Sequence, residues 1–105
     1  MSTRKGKKAL SLEMLDRVAT MLRLLAHPHR LKVIECLEGK EDGAPVMEIM
    51  EHLDLPHAAT SQHLNQMKRV GLLRSERRGK EVWYMIADPR ALTILGCIRK
   101  QQQAP

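Results

Sequence analysis

The stretch Pro45–Gly71, PVMEIMEHLDLPHAATSQHLNQMKRVG, decides the fold. It predicts one helix over residues 45–53, with proline in the first turn, where a missing N–H is tolerated. It predicts a second helix over residues 56–70, ended by Gly71 in a left-handed cap. Only Asp54 and Leu55 separate the two helices. Two helices joined by so tight a turn are typical of a helix-turn-helix.

The flanking sequence predicts two further helices, a hairpin and a last helix. Apolar residues at helical spacing indicate helices over residues 12–25 and 29–38. After Gly71 the apolar period changes to two, and the turn Arg78-Gly79-Lys80 predicts a β-hairpin with a basic tip. Asp88 and Pro89 open a last helix that runs to about residue 100. The fold class is therefore mainly α with a small β-hairpin, in the order ααααββα of a winged helix-turn-helix.

Length and composition indicate one small domain. The chain has 105 residues, a formal charge of +6 and 43% hydrophobic residues, as in an ordinary globular protein. We expect a basic disordered arm over residues 1–10, a winged-helix domain over residues 11–100 and a disordered tail over residues 101–105. The arm either adds DNA contacts or is only disordered. No apolar run suggests a secretory signal or a membrane partner, so a cytoplasmic location is expected.

Positive charge is concentrated in two parts of the chain, and residues 85–105 add a smaller excess of three basic residues over one acid. Residues 1–8 carry four bases and no acid, residues 9–56 are acidic overall, and residues 57–84 carry six bases against two acids. A local basic surface is what phosphate binding requires. Catalytic signatures are missing from the sequence: we find no nucleophile–base pair, glycine-rich phosphate loop or recognisable carboxylate pair. The sequence predicts a binding protein rather than an enzyme.

The second helix of the pair is predicted to read DNA. With Thr60, Leu64 and Met67 facing inward, its outer stripe is polar, and Gln62 and Asn65 could each bond adenine bidentately. The lysine and arginine side chains nearby would bind phosphates, or would reach the minor groove from the hairpin. The predicted DNA contacts are His57, Ala58, Ser61, Gln62, Asn65, Lys68, Arg69, Arg77, Arg78 and Lys80.

Four stretches together resemble the ArsR family of bacterial winged-helix repressors, also called ArsR/SmtB. They are Leu25–Leu31 (LAHPHRL), Thr60–Leu64 (TSQHL), Gly71–Leu73 (GLL) and Arg77–Tyr84 (RRGKEVWY). The resemblance covers about residues 15–99. It implies a repressor that binds an inverted-repeat operator as a homodimer and is released by an inducer. It also implies a dimer built on the first and last helices, for which we predict Leu15, Val18, Leu22, Leu95 and Ile98 as interface residues.

The metal-sensing motifs of the family have no match in this sequence. Where some members carry Cys-x-Cys, this chain has Val46-Met47-Glu48-Ile49, and Asp88 is followed by Pro89 and Arg90 instead of x-His. Asp88 is predicted as a helix N-cap. His27 and His29 flank Pro28 and are not expected to converge on one metal, and His63 is predicted to be a buried, hydrogen-bonded structural residue. We therefore predict no metal site and no cofactor.

The two cysteines do not identify the inducer. Cys36 and Cys97 resemble the pair with which one subgroup senses sulfide, persulfides or oxidants. The alternatives are two thiols packed in helices, or ligands of arsenite or another thiophilic ion. A second function class also stays open, since a winged helix can serve as a protein-interaction module without specific DNA binding. Activation in place of repression is a further alternative.

Overall fold

The computed structural model describes residues 7–103, with side chains described through residue 102. The elements are α1 (Leu12–Leu25), α2 (Pro28–Leu37), β1 (Ala44–Pro45), α3 (Val46–Leu53), α4 (His57–Arg69), β2 (Leu73–Arg78), β3 (Glu81–Ile86) and α5 (Arg90–Gln103). The predicted winged helix-turn-helix is confirmed, with α3 and α4 as the helix pair and β2–β3 as the wing. In the described residues, no helix has both the length and the apolar character needed to cross a membrane.

The turn between α3 and α4 is short because one residue takes a left-handed conformation. Asp54 has φ 55° and ψ 47°, and its backbone N–H donates to the carbonyls of Met50 and Glu51. Aspartate tolerates this region better than most non-glycine residues. At the other end of α4, Gly71 has φ 85°, its N–H bonds Lys68 O, and the N–H of Leu72 bonds Met67 O. This pair of bonds is a Schellman cap and confirms the predicted role of Gly71.

The sheet has a third strand that the sequence pattern did not predict. Ala44 and Pro45 pair antiparallel with Tyr84 and Trp83, so the strand order is β1-β3-β2 and the element order is ααβααββα. Two residues, one of them proline, are too few to show alternation. Gly43 allows the pairing, because it has φ 81° and a Cβ added there would lie 2.2 Å from the carbonyl oxygen of Tyr84.

One apolar core lies between the helices and the sheet. Its fully buried members include Ile34 and Leu37 of α2, Ile49 of α3 and Leu64 of α4. Leu95 of α5 belongs to the same core, with only 7% of its surface exposed. Most of this side chain is therefore buried within its own protomer, and its predicted part in a dimer interface stays a prediction.

The chain ends depart in part from the predicted domain limits. α5 continues to Gln103, so residues 101–103 are helical and not the disordered tail that was predicted. Residues 7–10 lie outside the helices and strands, in agreement with the predicted start of the domain near residue 11. Residues 1–6 of the arm, with Arg4 and Lys5, and residues 104–105 lie outside the described part of the chain.

The close approach at Gly43 gives a stability prediction with an internal control. Gly43→Ala meets the Tyr84 carbonyl, whereas Gly39→Ala has a similar φ of 77° but nothing within 4 Å. Both substitutions carry a left-handed penalty of about 1–2 kcal/mol. Gly43→Ala should lower the free energy of unfolding by roughly 1–3 kcal/mol more, the usual cost of overpacking. Urea unfolding of both variants measures the difference, and equal losses would contradict the proposed steric role.

Candidate nucleic-acid interface

The outer face of α4 is a polar stripe, as predicted. Thr60, Leu64 and Met67 point inward and are completely buried. Six of the predicted DNA contacts on α4 are exposed, and Ser61 is half-buried with its hydroxyl oxygen 3.3 Å from Nδ1 of His57. The six exposed residues are His57, Ala58, Gln62, Asn65, Lys68 and Arg69. The helix thus presents small and amide side chains, followed by two basic side chains at its C-terminal end.

The two amide residues of this stripe have different surroundings. The hydroxyl of Tyr84 donates to Oδ1 of Asn65 at 3.4 Å, and burial raises the pKa of Tyr84, which keeps the hydroxyl a donor. Asn65 is thereby oriented from the sheet and retains its amide nitrogen for a ligand. Gln62 has no hydrogen-bond partner among the described side chains, so both its amide atoms are available to a base edge. Tyr84 was missed as a positioning residue, although its place in the β3 alternation indicated that it faces the helices.

The wing is a tight hairpin with basic residues at its tip. Arg78 pairs with Glu81, which leaves Gly79 and Lys80 as a two-residue turn. Gly79 has φ 63°, as the first central position of a type II′ turn requires. Arg77 and Lys80 are exposed, in keeping with their predicted contact with phosphates.

Arg78 is held by contacts within the protein, a role that the sequence did not predict. Its guanidinium lies 4.4 Å from the centre of the Trp83 ring. Nε donates to Glu76 at 3.1 Å, and Nη2 donates to the carbonyl of Asp42 at 3.1 Å. Arg78 therefore joins the wing to the loop before β1 and is less free than Arg77 to follow a phosphate.

Arg30 positions α4 against the first two helices. Its Nε donates to Nδ1 of His63 at 3.1 Å, and Nη1 donates to the carbonyl of Leu24 at 3.2 Å. Nη2 donates to Oε1 of Gln66. His63 is half-buried and hydrogen-bonded, which supports the structural role predicted for it. Burial, followed by the nearby positive charges of His27, Arg30 and His29, lowers the pKa of His63.

Three histidines converge beside Arg30, contrary to the sequence prediction. One nitrogen from each of His27, His29 and His63 lies within 4.8 Å of the other two. His27 is the extended N-cap residue of α2, and its Nδ1 accepts the backbone N–H of His29 at 3.2 Å. This cap turns the His27 ring toward α4, where it lies 4.6 Å from the ring of His63. The structure therefore brings together two rings that were not expected to converge on one metal.

The residues at the two positions that correspond to the family's metal motifs make contacts within the protein. Near the start of α3, Glu48 forms an ion pair with Lys40. Asp88 accepts the backbone N–H of Arg90 at 3.0 Å, which agrees with its predicted capping role. The guanidinium of Arg90, 2.6 Å from Asp88, holds the pKa of this carboxyl below its usual value.

The two cysteines lie in different environments. Cys36 is buried in the core, and burial raises the pKa of its thiol, which disfavours the reactive thiolate. Cys97 is exposed on α5. Packing is therefore the alternative that the environment of Cys36 favours, while the role of Cys97 stays a prediction.

Exposed large apolar side chains are concentrated on α1, and α5 adds one. They include Leu12, Met14, Leu15, Leu22 and Ile98. Val18 is half-buried, so four of the five predicted interface residues are at least partly accessible. One protomer thus leaves an apolar helical face that it does not cover itself.

Comparison with known proteins assigns the family. A family model described as a helix-turn-helix domain matches residues 25–76. The HTH-type transcriptional repressor SmtB of Mycobacterium tuberculosis is 38% identical over 76 residues, 72% of this chain and 55% of SmtB. The transcriptional repressor PagR of Bacillus anthracis is 37% identical over 81 residues, 77% of this chain and 80% of PagR. The chain belongs to the ArsR/SmtB family of transcriptional repressors. The aligned part spans little more than half the length of the mycobacterial SmtB.

Solved structures agree with this family assignment. The crystal structure of PagR superposes with a TM-score of 0.73 at 33% identity, covering 84% of this chain and 99% of PagR. A homodimeric winged helix-turn-helix DNA-binding domain from Mycobacterium bovis has a TM-score of 0.73, covering 93% of this chain and 89% of that domain. At 23% identity, the second likeness shows the fold alone. ArsR/SmtB proteins are transcription regulators and not enzymes, as the sequence predicts here.

The contacts of Arg78 can be separated from its charge with a matched pair of variants. Arg78→Gln and Arg77→Gln each remove one positive charge from β2, but only Arg78 stacks on Trp83 and bonds Asp42. Arg78→Gln should lower the free energy of unfolding by about 1–2 kcal/mol, while Arg77→Gln should change it by less than about 0.5 kcal/mol. The fluorescence of Trp83, the single tryptophan, follows both transitions. Equal stability of the two variants would argue against a structural role for Arg78.

Proposed function

We propose that this ArsR/SmtB protein is a homodimeric repressor that binds a specific operator in double-stranded DNA. The proposal rests on one observation: the exposed polar stripe of α4 lies beside a basic wing in the same winged helix-turn-helix. The family membership supports repression as the outcome of binding. The proposed place of action is the cytoplasm, where operator DNA is accessible.

In the proposed complex, α4 enters the major groove. Gln62, free in the protein, donates to and accepts from one base edge, with adenine the base best matched by an amide. Asn65, oriented by Tyr84, supplies a second polar contact. Lys68 and Arg69 hold the backbone near the end of α4, and the wing residues Arg77 and Lys80 reach phosphates or the minor groove beside it.

A second copy of the chain is proposed to cover the exposed apolar face of α1 and α5. Leu15, Leu22 and Ile98 provide surface that a protomer leaves exposed. A two-fold dimer places its two recognition helices in successive major grooves, about 34–36 Å apart, and so matches an inverted repeat. This symmetry is the reason for expecting a palindromic operator.

Release by an inducer is part of the proposal, and the thiols remain candidates for it. Because Cys36 is buried, a thiol-reactive inducer or a thiophilic ion would have to reach it through an opening of the core. Cys97 is accessible without such an opening. Comparing operator affinity for reduced protein, persulfide-treated protein and protein with arsenite tests the thiol interpretation directly.

Base reading and phosphate binding can be separated on two duplexes. Gln62→Ala should weaken binding to the operator by about 5- to 150-fold, the loss expected for one bidentate base contact of roughly 1–3 kcal/mol. It should leave binding to a scrambled duplex unchanged. Arg77→Gln should weaken both and lower the slope of log affinity against log salt by about one. Fluorescence anisotropy at several salt concentrations, with DNA from upstream of the protein's own gene, measures all three.

Equal loss on both duplexes for Gln62→Ala would overturn its assignment as a base reader. Wild-type protein with no preference between the duplexes would overturn the repressor proposal. That result would favour the alternative of a protein-interaction module, whose partner binding should survive charge reversal at Arg77.

The proposed dimer face can be tested without DNA. Introducing Leu15→Glu together with Leu22→Glu places two charges on the exposed face of α1 and should produce monomers. Met47→Glu is the control, because Met47 is also an exposed apolar residue but lies on α3. Sedimentation velocity of wild type and both variants gives the oligomeric state. A dimer that persists in the double variant would exclude this face.

A further inference from the structure

A cluster of three imidazoles lies between the start of α2 and the middle of α4, outside the proposed DNA contacts. His27 is the N-cap of α2, His29 lies in the first turn of α2, and His63 comes from α4. All three are half-buried, and the ligand nitrogens lie within 4.8 Å of one another. From this geometry we infer that His27, His29 and His63 bind one divalent transition-metal cation of the Zn²⁺, Co²⁺ or Ni²⁺ class.

The donor set suits these cations better than other metals. Imidazole nitrogen is a common ligand of zinc, nickel and copper, whereas calcium and magnesium require oxygen ligands. Three histidines with a fourth position open to water form a known tetrahedral arrangement. Metal–nitrogen distances of about 2.0–2.1 Å place tetrahedral ligand atoms roughly 3.4 Å apart. The cluster nitrogens lie within 4.8 Å of one another, so binding requires the rings to rotate and close by up to about 1.4 Å.

The hydrogen bonds of two rings decide what metal binding would change. A neutral imidazole has one nitrogen with a free lone pair, and the other nitrogen carries the proton. In His63 the lone pair accepts Nε–H of Arg30, and in His27 it accepts the backbone N–H of His29. A metal that takes these lone pairs must displace both donors. Metal binding and the Arg30–His63 hydrogen bond are therefore mutually exclusive.

Loss of the Arg30–His63 hydrogen bond changes how α4, the recognition helix, is held. The metal site is therefore regulatory if the proposed function holds. Arg30 bonds both His63 and Gln66 of α4, and Gln62 lies one helical turn before Gln66. A divalent cation beside the guanidinium also repels it. The metal-bound and metal-free proteins thus differ in how α4 is held, and a difference of this kind is what coupling between two sites requires.

His29 is the informative position to change. Its ring makes no hydrogen bond among the described side chains, while its backbone N–H donates to the capping Nδ1 of His27. His29→Gln should therefore remove one metal ligand and leave the Arg30–His63 bond in place. His52→Gln is the matched control, because His52 is a histidine 3.1 Å from Glu35, outside the cluster.

The test is a titration of the full chain with Zn²⁺ alone, in competition with a chromophoric chelator. Wild type and His52→Gln should bind one ion per chain with equal affinity, and His29→Gln should bind at least about tenfold more weakly. Imidazole ¹⁵N spectra should shift for the three cluster histidines and not for His52. Equal affinity of wild type and His29→Gln, or shifts confined to other histidines, would overturn the site.

A second arm separates this site from the proposed function. Zn²⁺ should change the affinity of wild type for the operator at least about fivefold, the lower end of usual coupling between sites. Zn²⁺ should change the operator affinity of the His29→Gln variant much less. Zinc binding at the cluster without any change in operator affinity would overturn the regulatory coupling alone. Failure of wild type to select the operator at any zinc concentration would overturn the proposed repressor, while the titration would still decide the metal site.

Discussion

The guanidinium of Arg30 is the contact on which the arrangement of the helices depends. From one position in α2 it donates to a carbonyl at the end of α1 and to two side chains of α4. Arginine suits this role because its planar fork carries five donors in fixed directions. The bonds are partly shielded from water, where a charged donor contributes more than it does on the surface. The angle at which α4 leaves the core is set by these bonds together with the burial of Thr60, Leu64 and Met67.

The wing is attached to the same helix by a second set of contacts. β1 lies against β3 because Gly43 leaves room for the Tyr84 carbonyl, and Arg78 joins the hairpin to the loop before β1. From β3, the hydroxyl of Tyr84 reaches Asn65 on α4. The amide stripe and the basic hairpin are therefore held as one surface. Such pre-organisation lowers the ordering cost of binding a rigid duplex.

Much of the site could be predicted because its signals are local. The inward positions of α4 follow from 3.6-residue periodicity, and Gly71 and Asp88 act as caps through contacts within three or four residues. Arg78 shows where such reasoning ends. Its residue type and place at the hairpin tip predict a phosphate contact, but its partner Asp42 lies 36 residues earlier. A local sequence pattern therefore cannot predict the contact that restrains Arg78.

By itself, the sequence determined the helix pair, the wing, the polar stripe and the basic charge beside it. Periodicity, turn residues and charge act over a few residues, so they can be read along the chain. Only the tertiary structure decided the pairing of β1, the burial of Leu95 and the meeting of His27 and His29 with His63. Each of these depends on segments distant along the chain coming into contact. These contacts are set by the packing of the whole core. Side chains that are close in space can be separated by any number of residues, so no sequence pattern marks them.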